Sequence, residues 1–289
     1  MVYAFVNNLP FEEGVARHCE KVYLGKMVEY LAKTCEFDLE VHFYIGVTNL
    51  KLPLTPVFHS QTSKKVCVII DEFLEILPEL LKKFDVVFQA YLQHVELPQN
   101  YYHFPLGYTE NLLEKEPKPI HERTLDVFFS GSLHSGRKRF FNEISFLGFL
   151  PYRITKKIQK RFRFVYDRYF PNSYIRFTNG FMSGLGAKEY TEMLNNSKIV
   201  LCPAGVSKIE SFRIFEAMKM GCVLVADELP QKLNYEKSPI IQMKSWKGLK
   251  SVLHELVRDS EELQKISTKT YQFYLNEYSP ESLAEYITR

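Results

Sequence analysis

Short apolar runs rich in Val, Ile and Phe alternate with longer segments of helical periodicity along this chain. Two segments of the first half, Gly14–Thr34 and Glu72–Lys83, carry apolar residues at helical spacing. The apolar runs around them are predicted as strands at Val2–Val6, Val41–Ile45, Val66–Ile70 and Asp85–Phe88. Strands that alternate with helices in this way predict a mostly parallel sheet covered by helices.

The same alternation starts again in the second half of the chain. Strands are predicted at Leu125–Phe129, Tyr174–Phe177, Lys198–Cys202, Cys222–Val225 and Ile240–Met243. Helices are predicted at Arg137–Phe146, Tyr190–Asn196, Glu210–Met220 and Trp246–Arg258. The last segment, Asp259–Arg289, is predicted as two helices that separate near Ser279-Pro280, because Ser before Pro is a helix-start signal.

The segment Thr109–Arg123 separates the two halves. It is polar, contains two prolines and lacks strand periodicity, which is typical of a linker. A chain of 289 residues is long enough for two domains that each bury a core. We therefore predict an α/β protein with two Rossmann-like domains.

Charge and cysteine content restrict the class of protein. The formal net charge of +3 does not indicate a nucleic-acid-binding protein. The five cysteines form no Cys-x-x-Cys pair, which favours reduced thiols in a cytosol-like compartment. No apolar run approaches the ~18 residues of a membrane span, and the first residues do not resemble a signal peptide. We expect a soluble cytoplasmic protein without a stable membrane span.

The segment Asn195–Pro230 carries the clearest sign of a ligand site. The predicted strand Lys198–Cys202 ends in Pro203-Ala204-Gly205, where the backbone is able to approach a ligand closely. A helix is predicted to begin near Glu210-Ser211, and the N–H groups and positive dipole at a helix N-terminus suit a pyrophosphate. Ligands of open α/β sheets bind at such strand ends.

Within the predicted helix, three side chains are candidates for binding a nucleotide. Ser211 is a candidate hydrogen-bond donor at the helix start, and Arg213 offers a bidentate contact to phosphate. Glu216 lies three residues after Arg213 on the same face, and a carboxylate there accepts two hydrogen bonds from a ribose diol. The alternative is that Arg213 and Glu216 form an ion pair on the helix surface.

A second motif, Asp126–Lys138, follows the same logic. Its strand ends in Ser130-Gly131-Ser132, which is predicted as a turn of small residues. Arg137 and Lys138 open the helix after it. Such a turn suits phosphate binding through backbone N–H groups of Gly131 and Ser132 together with Arg137.

The run Glu210–Pro230 resembles the nucleotide-sugar-binding segment of GT-B glycosyltransferases, and most of all that of the exostosin family. The residues that carry the resemblance are Ser211, Arg213, Ile214–Phe215, Glu216-Ala217, Gly221-Cys222 and Val223–Val225. The strand, Gly and Arg of Asp126–Lys138 are also similar to that family's pattern. The resemblance implies that Arg213 contacts the diphosphate and Glu216 the ribose, with Gly131, Ser132, Arg137, Gly205 and Ser211 around the donor.

The same resemblance implies the arrangement of the domains. Two Rossmann-like domains are expected to face each other across a cleft. Residues 1–115 would bind the acceptor, residues 116–270 the nucleotide sugar, and residues 271–289 would form a helix that packs back on the first domain.

The implied activity is transfer of a sugar from a UDP-sugar to a hydroxyl of an oligosaccharide acceptor, with inversion, in surface glycan synthesis. Xylose, glucuronic acid, N-acetylglucosamine and galactose donors are all open. A retaining GT-B enzyme, a user of GDP- or CMP-sugars, and a non-catalytic glycan-binding module are the alternatives. Retaining GT-B enzymes use two glutamates that are more widely spaced than Glu210 and Glu216. Full retention of Arg213 and Glu216 argues against the non-catalytic module.

No cofactor is expected. The chain has no Asp-any-Asp triplet of the kind that holds metal in the GT-A class, and its histidines lack the spacing of a zinc site. The donor substrate is then the activated component of the reaction.

An inverting enzyme needs a base for the acceptor hydroxyl. Asp71 follows the strand Val66–Ile70 directly and is the first candidate, although it is also placed to cap a helix. Glu13, with Glu12 and His18 nearby, is the second candidate because this group follows the first strand. Asp71, Glu13 and Arg213 are thus the residues expected to act in catalysis.

Overall fold

The computed structural model describes residues 1–46, 55–71, 81–91, 99–145, 154, 157, 169–178, 180, 184–206 and 208–289. The predicted helix Glu72–Lys83 lies mostly outside these residues. The chain divides into two compact units. The N-terminal unit comprises Met1–Glu110, Gln231–Glu236 and Asn276–Arg289, and the C-terminal unit comprises Asn111–Pro230 and Lys237–Leu275.

The strands, in chain order, are β1 (Val2–Val6), β2 (Leu9–Pro10), β3 (Leu39–Ile45), β4 (Lys64–Ile70), β5 (Val86–Gln89), β6 (Tyr101–His103), β7 (Leu125–Ser132), β8 (Ser173–Thr178), β9 (Ser197–Cys202), β10 (Val223–Asp227) and β11 (Ile241–Met243). The α-helices are α1 (Phe11–Val15), α2 (Lys21–Thr34), α3 (Lys138–Ile144), α4 (Ala187–Asn195), α5 (Phe212–Lys219), α6 (Leu249–Arg258), α7 (Ser260–Glu277) and α8 (Pro280–Thr288). Among the described residues, no helix combines the length and the apolar character that a membrane crossing needs.

The N-terminal unit is built on a sheet of order β2-β1-β3-β4-β5-β6. All neighbours are parallel except β2, which pairs antiparallel with β1. Every residue of β3 is buried, as expected for a central parallel strand. The helix α8 packs against α2, and its first turn is capped by the Ser279 side chain, which accepts a hydrogen bond from the Ser282 N–H.

The C-terminal unit is built on a sheet of order β11-β10-β9-β7-β8, in which all neighbours are parallel. The first strand of this unit, β7, lies between β8 and β9 rather than at an edge. The chain therefore runs outward to β8, returns past β7, and continues to β9, β10 and β11. Read from β8, this is the 2-1-3-4-5 order of a doubly wound fold. Its core includes Val127, Phe129, Phe140, Ile199 and Val225.

The predicted strands are confirmed with small shifts of their ends, whereas two short strands, β2 and β6, were not predicted. The predicted helix Gly14–Thr34 is divided into α1 and α2 by turns around His18. The turn predicted at Ser130-Gly131-Ser132 is wrong. These residues extend β7, because each of them pairs with β8, the last pair being Ser132 with Thr178.

Candidate functional site

The order of the C-terminal sheet reverses between β7 and β9, which are adjacent in the sheet. In doubly wound sheets, ligands bind beyond the carboxyl ends of the strands at such a reversal. The strands end here at Ser132 and Cys202, so the segments that follow them form the candidate site. Both sequence motifs that predicted a ligand lie at this position.

The segment after β9 turns tightly at Gly205. A Cβ on Gly205 would lie 2.6 Å from the carbonyl oxygen of Glu210 and 2.8 Å from that of Lys208, so only glycine fits. The Ala204 N–H donates to the Asp227 carboxylate over 2.8 Å. Asp227 also accepts from the Trp246 indole N–H, and burial raises the pKa of its carboxyl group. This packing directs the chain into Ser211, the N-cap of α5.

Arg213 lies in the first turn of α5 and is buried, with 9% of its surface exposed. Its Nη2 donates to the carbonyl oxygen of Ser130, and its Cζ lies 4.9 Å from the centre of the Phe129 ring. Its Nε and Nη1 are buried without a hydrogen-bond partner in the part of the chain that the structure describes. Arg213 is therefore fixed by one nitrogen while two others are unused.

Arg137 is the second buried guanidinium of the site. Its Nε donates to the carbonyl oxygen of Ala204 over 2.9 Å, and its Nη1 to that of Ser132 over 2.8 Å. The side chain thus ties the end of β7 to the segment after β9. Burial, and then the neighbouring Arg213, lower the pKa of Arg137 to about 9, which leaves it charged at neutral pH.

Gly131 makes room for both arginines. A Cβ at this position would lie 2.6 Å from Arg213 Nη2 and 2.7 Å from Arg137 Nη1. Among the described residues, no carboxylate forms an ion pair with Arg137 or Arg213. Two buried positive charges without a counterion are costly, which is typical of a site that receives an anion.

His134 was not predicted as a site residue, although it lies within the Asp126–Lys138 motif. Both of its ring nitrogens are buried and lack a partner within the described ranges, as does the Ser211 hydroxyl. Burial, then Arg137 and Arg213, lower the pKa of His134 to about 4, so its imidazole is neutral at pH 7. Three residues of the C-terminal unit thus carry buried polar atoms without a hydrogen-bond partner among the described residues: His134, Ser211 and Arg213. Buried groups of this kind require an explanation such as a missing ligand.

Glu216 is also buried, with 4% of its surface exposed. The Tyr190 hydroxyl of α4 donates to Glu216 Oε2 over 2.6 Å, a contact that the sequence did not predict. Because Arg213 and Glu216 are both buried, the alternative of an ion pair on the helix surface is wrong.

The candidate bases lie in the N-terminal unit. Asp71 is buried and follows β4 directly, whereas Glu13 is exposed in α1. His18 is partly buried beside Gly46, whose Cβ position lies 3.6 Å from the imidazole Cε1. Gly46 and Asp71 follow the paired residues Ile45 and Ile70 of β3 and β4.

Two further observations on the N-terminal unit concern side chains that follow its strands. Burial lowers the pKa of His18, which favours the neutral imidazole that a base requires. The Asn7 amide is used for structure, because it bonds both the N–H and the carbonyl of Ile45.

In the described parts of the chain, no group of three or more His, Cys, Asp or Glu residues is arranged to hold a metal ion.

Comparison with known proteins bears on the C-terminal unit first. Residues 183–278 match a family model described as the RXYLT1 C-terminal domain, an exostosin-like xylosyltransferase domain. This segment contains α4, β9, α5 and β10, and with them Tyr190, Gly205, Ser211, Arg213 and Glu216. No curated protein matches the chain.

Solved structures match nearly the whole chain at low identity. A glycosyltransferase from Rickettsia africae ESF-5 has a TM-score of 0.50 at 7% identity, covering 99% of this chain and 96% of its own. Anabaena Alr3699/HepE in complex with UDP has a TM-score of 0.51 at 12% identity, and the match covers 90% of this chain and 80% of the Anabaena chain. Its complex with UDP and glucose also has a TM-score of 0.51 at 12% identity, and the match covers 97% of this chain and 83% of the Anabaena chain.

At these identities the structural matches show the fold. Together with the family match, they confirm the predicted resemblance. Residues 183–278 are similar to the RXYLT1 C-terminal domain, and the chain has the fold of the GT-B glycosyltransferases.

Proposed function

We propose that this chain is a glycosyltransferase that moves a sugar from a UDP-sugar to a hydroxyl of an oligosaccharide acceptor, with inversion. The observation that carries the proposal is the pair of buried arginines, Arg137 and Arg213, without a carboxylate partner among the described residues. They lie where doubly wound sheets bind ligands. The UDP complexes of Anabaena Alr3699/HepE support a UDP-sugar as the donor.

In this proposal the arginines neutralise the negative charge of the departing diphosphate, which is the largest electrostatic contribution expected. Ser211 and the neutral His134 offer further hydrogen bonds to the donor. Gly131, Ser132 and Gly205 shape the donor site: Gly131 leaves room for both guanidinium groups, the Ser132 carbonyl holds Arg137, and Gly205 permits the tight turn after β9. Glu216 accepts hydrogen bonds from the ribose diol. Residues 116–270 would accordingly bind the nucleotide sugar and residues 1–115 the acceptor, with residues 271–289 completing the first domain.

The matched family of exostosin-like xylosyltransferases makes UDP-xylose the first donor to test. Glucuronic acid, N-acetylglucosamine and galactose donors follow. A cytoplasmic location and a role in surface glycan synthesis belong to the same proposal.

Removal of Arg213 tests the central assignment. Arg213→Ala is expected to lower turnover of the UDP-sugar at least ~100-fold, as for loss of one transition-state donor. Arg213→Lys should restore only part of it, because lysine lacks the planar fork. The matched control is Arg258→Ala, which removes an exposed arginine at the end of α6 in the same unit. Turnover of Arg213→Ala within a few-fold of the parent would show that Arg213 does not contact the diphosphate.

We propose Asp71 as the base, with His18 and Glu13 as the alternatives. Asp71→Asn should reduce transfer ~100-fold or more and leave donor affinity unchanged, because a base acts on the acceptor. If His18 is the base instead, transfer should fall as the pH drops through a pKa below 6.5, where the imidazole becomes protonated. His18→Gln would then lose most of the activity, and the residual rate would no longer fall in this pH range.

Transfer rate and donor affinity are measured on the same variants, including Glu13→Gln. Full activity of Asp71→Asn with loss in Glu13→Gln or His18→Gln moves the base to that residue. If all three variants remain active, the inverting mechanism is wrong. Proton NMR of the anomeric linkage in the product gives the stereochemical result directly.

A further inference from the structure

A buried tyrosine contacts the carboxylate that we propose for ribose binding. Tyr190 lies in α4 and Glu216 in α5, 26 positions apart in sequence. The Tyr190 hydroxyl donates to Glu216 Oε2 over 2.6 Å, within the range of a charge-assisted hydrogen bond. A neighbouring helix therefore holds the orientation of this carboxylate.

Tyr190 itself is held from two sides. Its N–H donates to the carbonyl oxygen of Gly186 over 2.8 Å, in the first turn of α4. Its ring centre lies 5.9 Å from that of Phe128 in β7. Burial, and then Glu216, raise the pKa of Tyr190 well above its usual value, so the hydroxyl retains its proton at neutral pH.

A single hydrogen bond of this kind has a defined consequence. A carboxylate has acceptor sites for about four hydrogen bonds, so one bond from a phenol restricts its rotation while it uses one of those sites. A fixed carboxylate binds a vicinal diol better than a rotating one, because less side-chain entropy is lost on binding.

We propose that Tyr190 is a positioning residue for Glu216, and that it makes this site select nucleotides with a ribose diol over nucleotides without one. The inference rests on the proposed role of Glu216 in the donor site. It goes beyond that role by assigning part of the selectivity to Tyr190, a residue of another helix that acts through its hydrogen bond to Glu216.

The test compares two nucleotides, UDP and 2′,3′-dideoxy-UDP, by isothermal titration calorimetry of the full chain. Tyr190→Phe should weaken UDP binding ~10-fold, the size expected for loss of a hydrogen bond to a charged group. Its affinity for 2′,3′-dideoxy-UDP should stay within two-fold of the parent value. A structural disturbance would weaken both nucleotides equally.

The matched control is Tyr174→Phe. Tyr174 lies in β8, and its ring stacks on the same Phe128 with centres 5.7 Å apart. Tyr174→Phe should bind both nucleotides as the parent does. Thermal melting of the ligand-free variants verifies that Tyr190→Phe is folded, and Glu216→Gln provides the reference for a site without the carboxylate.

The outcomes separate the two proposals. If the parent prefers UDP, and both Glu216→Gln and Tyr190→Phe lose that preference, the inference is supported. If Glu216→Gln loses the preference but Tyr190→Phe retains it, only the role of Tyr190 is overturned. If the parent binds both nucleotides equally, the assignment of Glu216 to the ribose fails, and the role of Tyr190 fails with it.

Discussion

Each unit of this protein buries a charged side chain, but the two charges have different surroundings. Glu40 in β3 of the N-terminal unit is fully buried, and its carboxylate accepts from the N–H groups of His59 and Ser60. The Ser63 hydroxyl and the His42 imidazole are also within hydrogen-bond distance. In the C-terminal unit, the buried Arg213 uses Nη2 while Nε and Nη1 have no partner among the described residues.

The difference separates buried charges whose hydrogen-bonding groups are satisfied by the chain itself from buried charges whose hydrogen-bonding groups are partly unused. Glu40 is satisfied by its own chain, and its hydrogen bonds fix the segment around His59–Ser63 against the sheet. Arg213 lacks that satisfaction, and it lies where the order of its sheet reverses. Among the described strands of the N-terminal unit, β1 and β3 to β6 follow one another without such a reversal. Burial alone therefore does not indicate function, whereas burial with unused hydrogen-bonding groups at a reversal does.

The largest effect on UDP affinity is expected from Gly131→Ala, which adds a methyl group where the side chains of Arg137 and Arg213 lie. In Gly131→Ala, the new Cβ would lie within 2.7 Å of a terminal nitrogen of both Arg213 and Arg137, so both guanidinium groups must move. UDP affinity, measured by calorimetry, should fall ~100-fold, which corresponds to about 2.7 kcal/mol. The fold should persist, because the displaced atoms are the ends of flexible side chains.

Gly25→Ala is the matched control in the other unit. Gly25 lies inside α2, and apart from its chain neighbours and the backbone of its own helix, no atom of the described residues lies within 4 Å of its Cβ position. Alanine there should stabilise the helix by about 0.5–1 kcal/mol and leave UDP affinity unchanged. If Gly131→Ala binds UDP within a few-fold of the parent, the two arginines do not form the anion site.

The sequence predicted the framework of both units because buried parallel strands are continuous apolar runs. It did not predict β2 and β6, which are two and three residues long and carry no buried residue. The turn expected at Ser130–Ser132 is wrong because small residues suit a turn locally, while pairing with β8 decides the structure. Tertiary pairing thus overrides local preference where the two conflict.

The candidate site shows the same limit. Spacing within one helix pointed to Arg213 and Glu216, and the strand–Gly–Arg order pointed to Gly131 and Arg137. Tyr190 and His134 were not found, because their environments come from other segments. Tyr190 reaches a carboxylate of another helix, and His134 is influenced by Arg213 from far along the chain. Only the fold brings these groups together.

A smaller effect, on the free energy of unfolding rather than on UDP affinity, is expected from substitution of Glu40. Glu40→Gln replaces one carboxylate oxygen with an NH₂ group that faces N–H donors such as those of His59 and Ser60. The free energy of unfolding should fall by about 2 kcal/mol, the cost of leaving buried polar groups unpaired. UDP affinity should not change, because Glu40 and the arginine pair belong to different units.

Urea unfolding followed by far-UV circular dichroism measures the loss of stability, and the fluorescence of Trp246, the single tryptophan, reports on the C-terminal unit. Glu29→Gln is the control, since it removes an exposed partner of Lys33, and an ion pair in water contributes little to stability. If Glu40→Gln leaves stability unchanged but weakens UDP binding, Glu40 is not a structural charge, and hydrogen-bond satisfaction does not distinguish the two classes of buried charge in this protein.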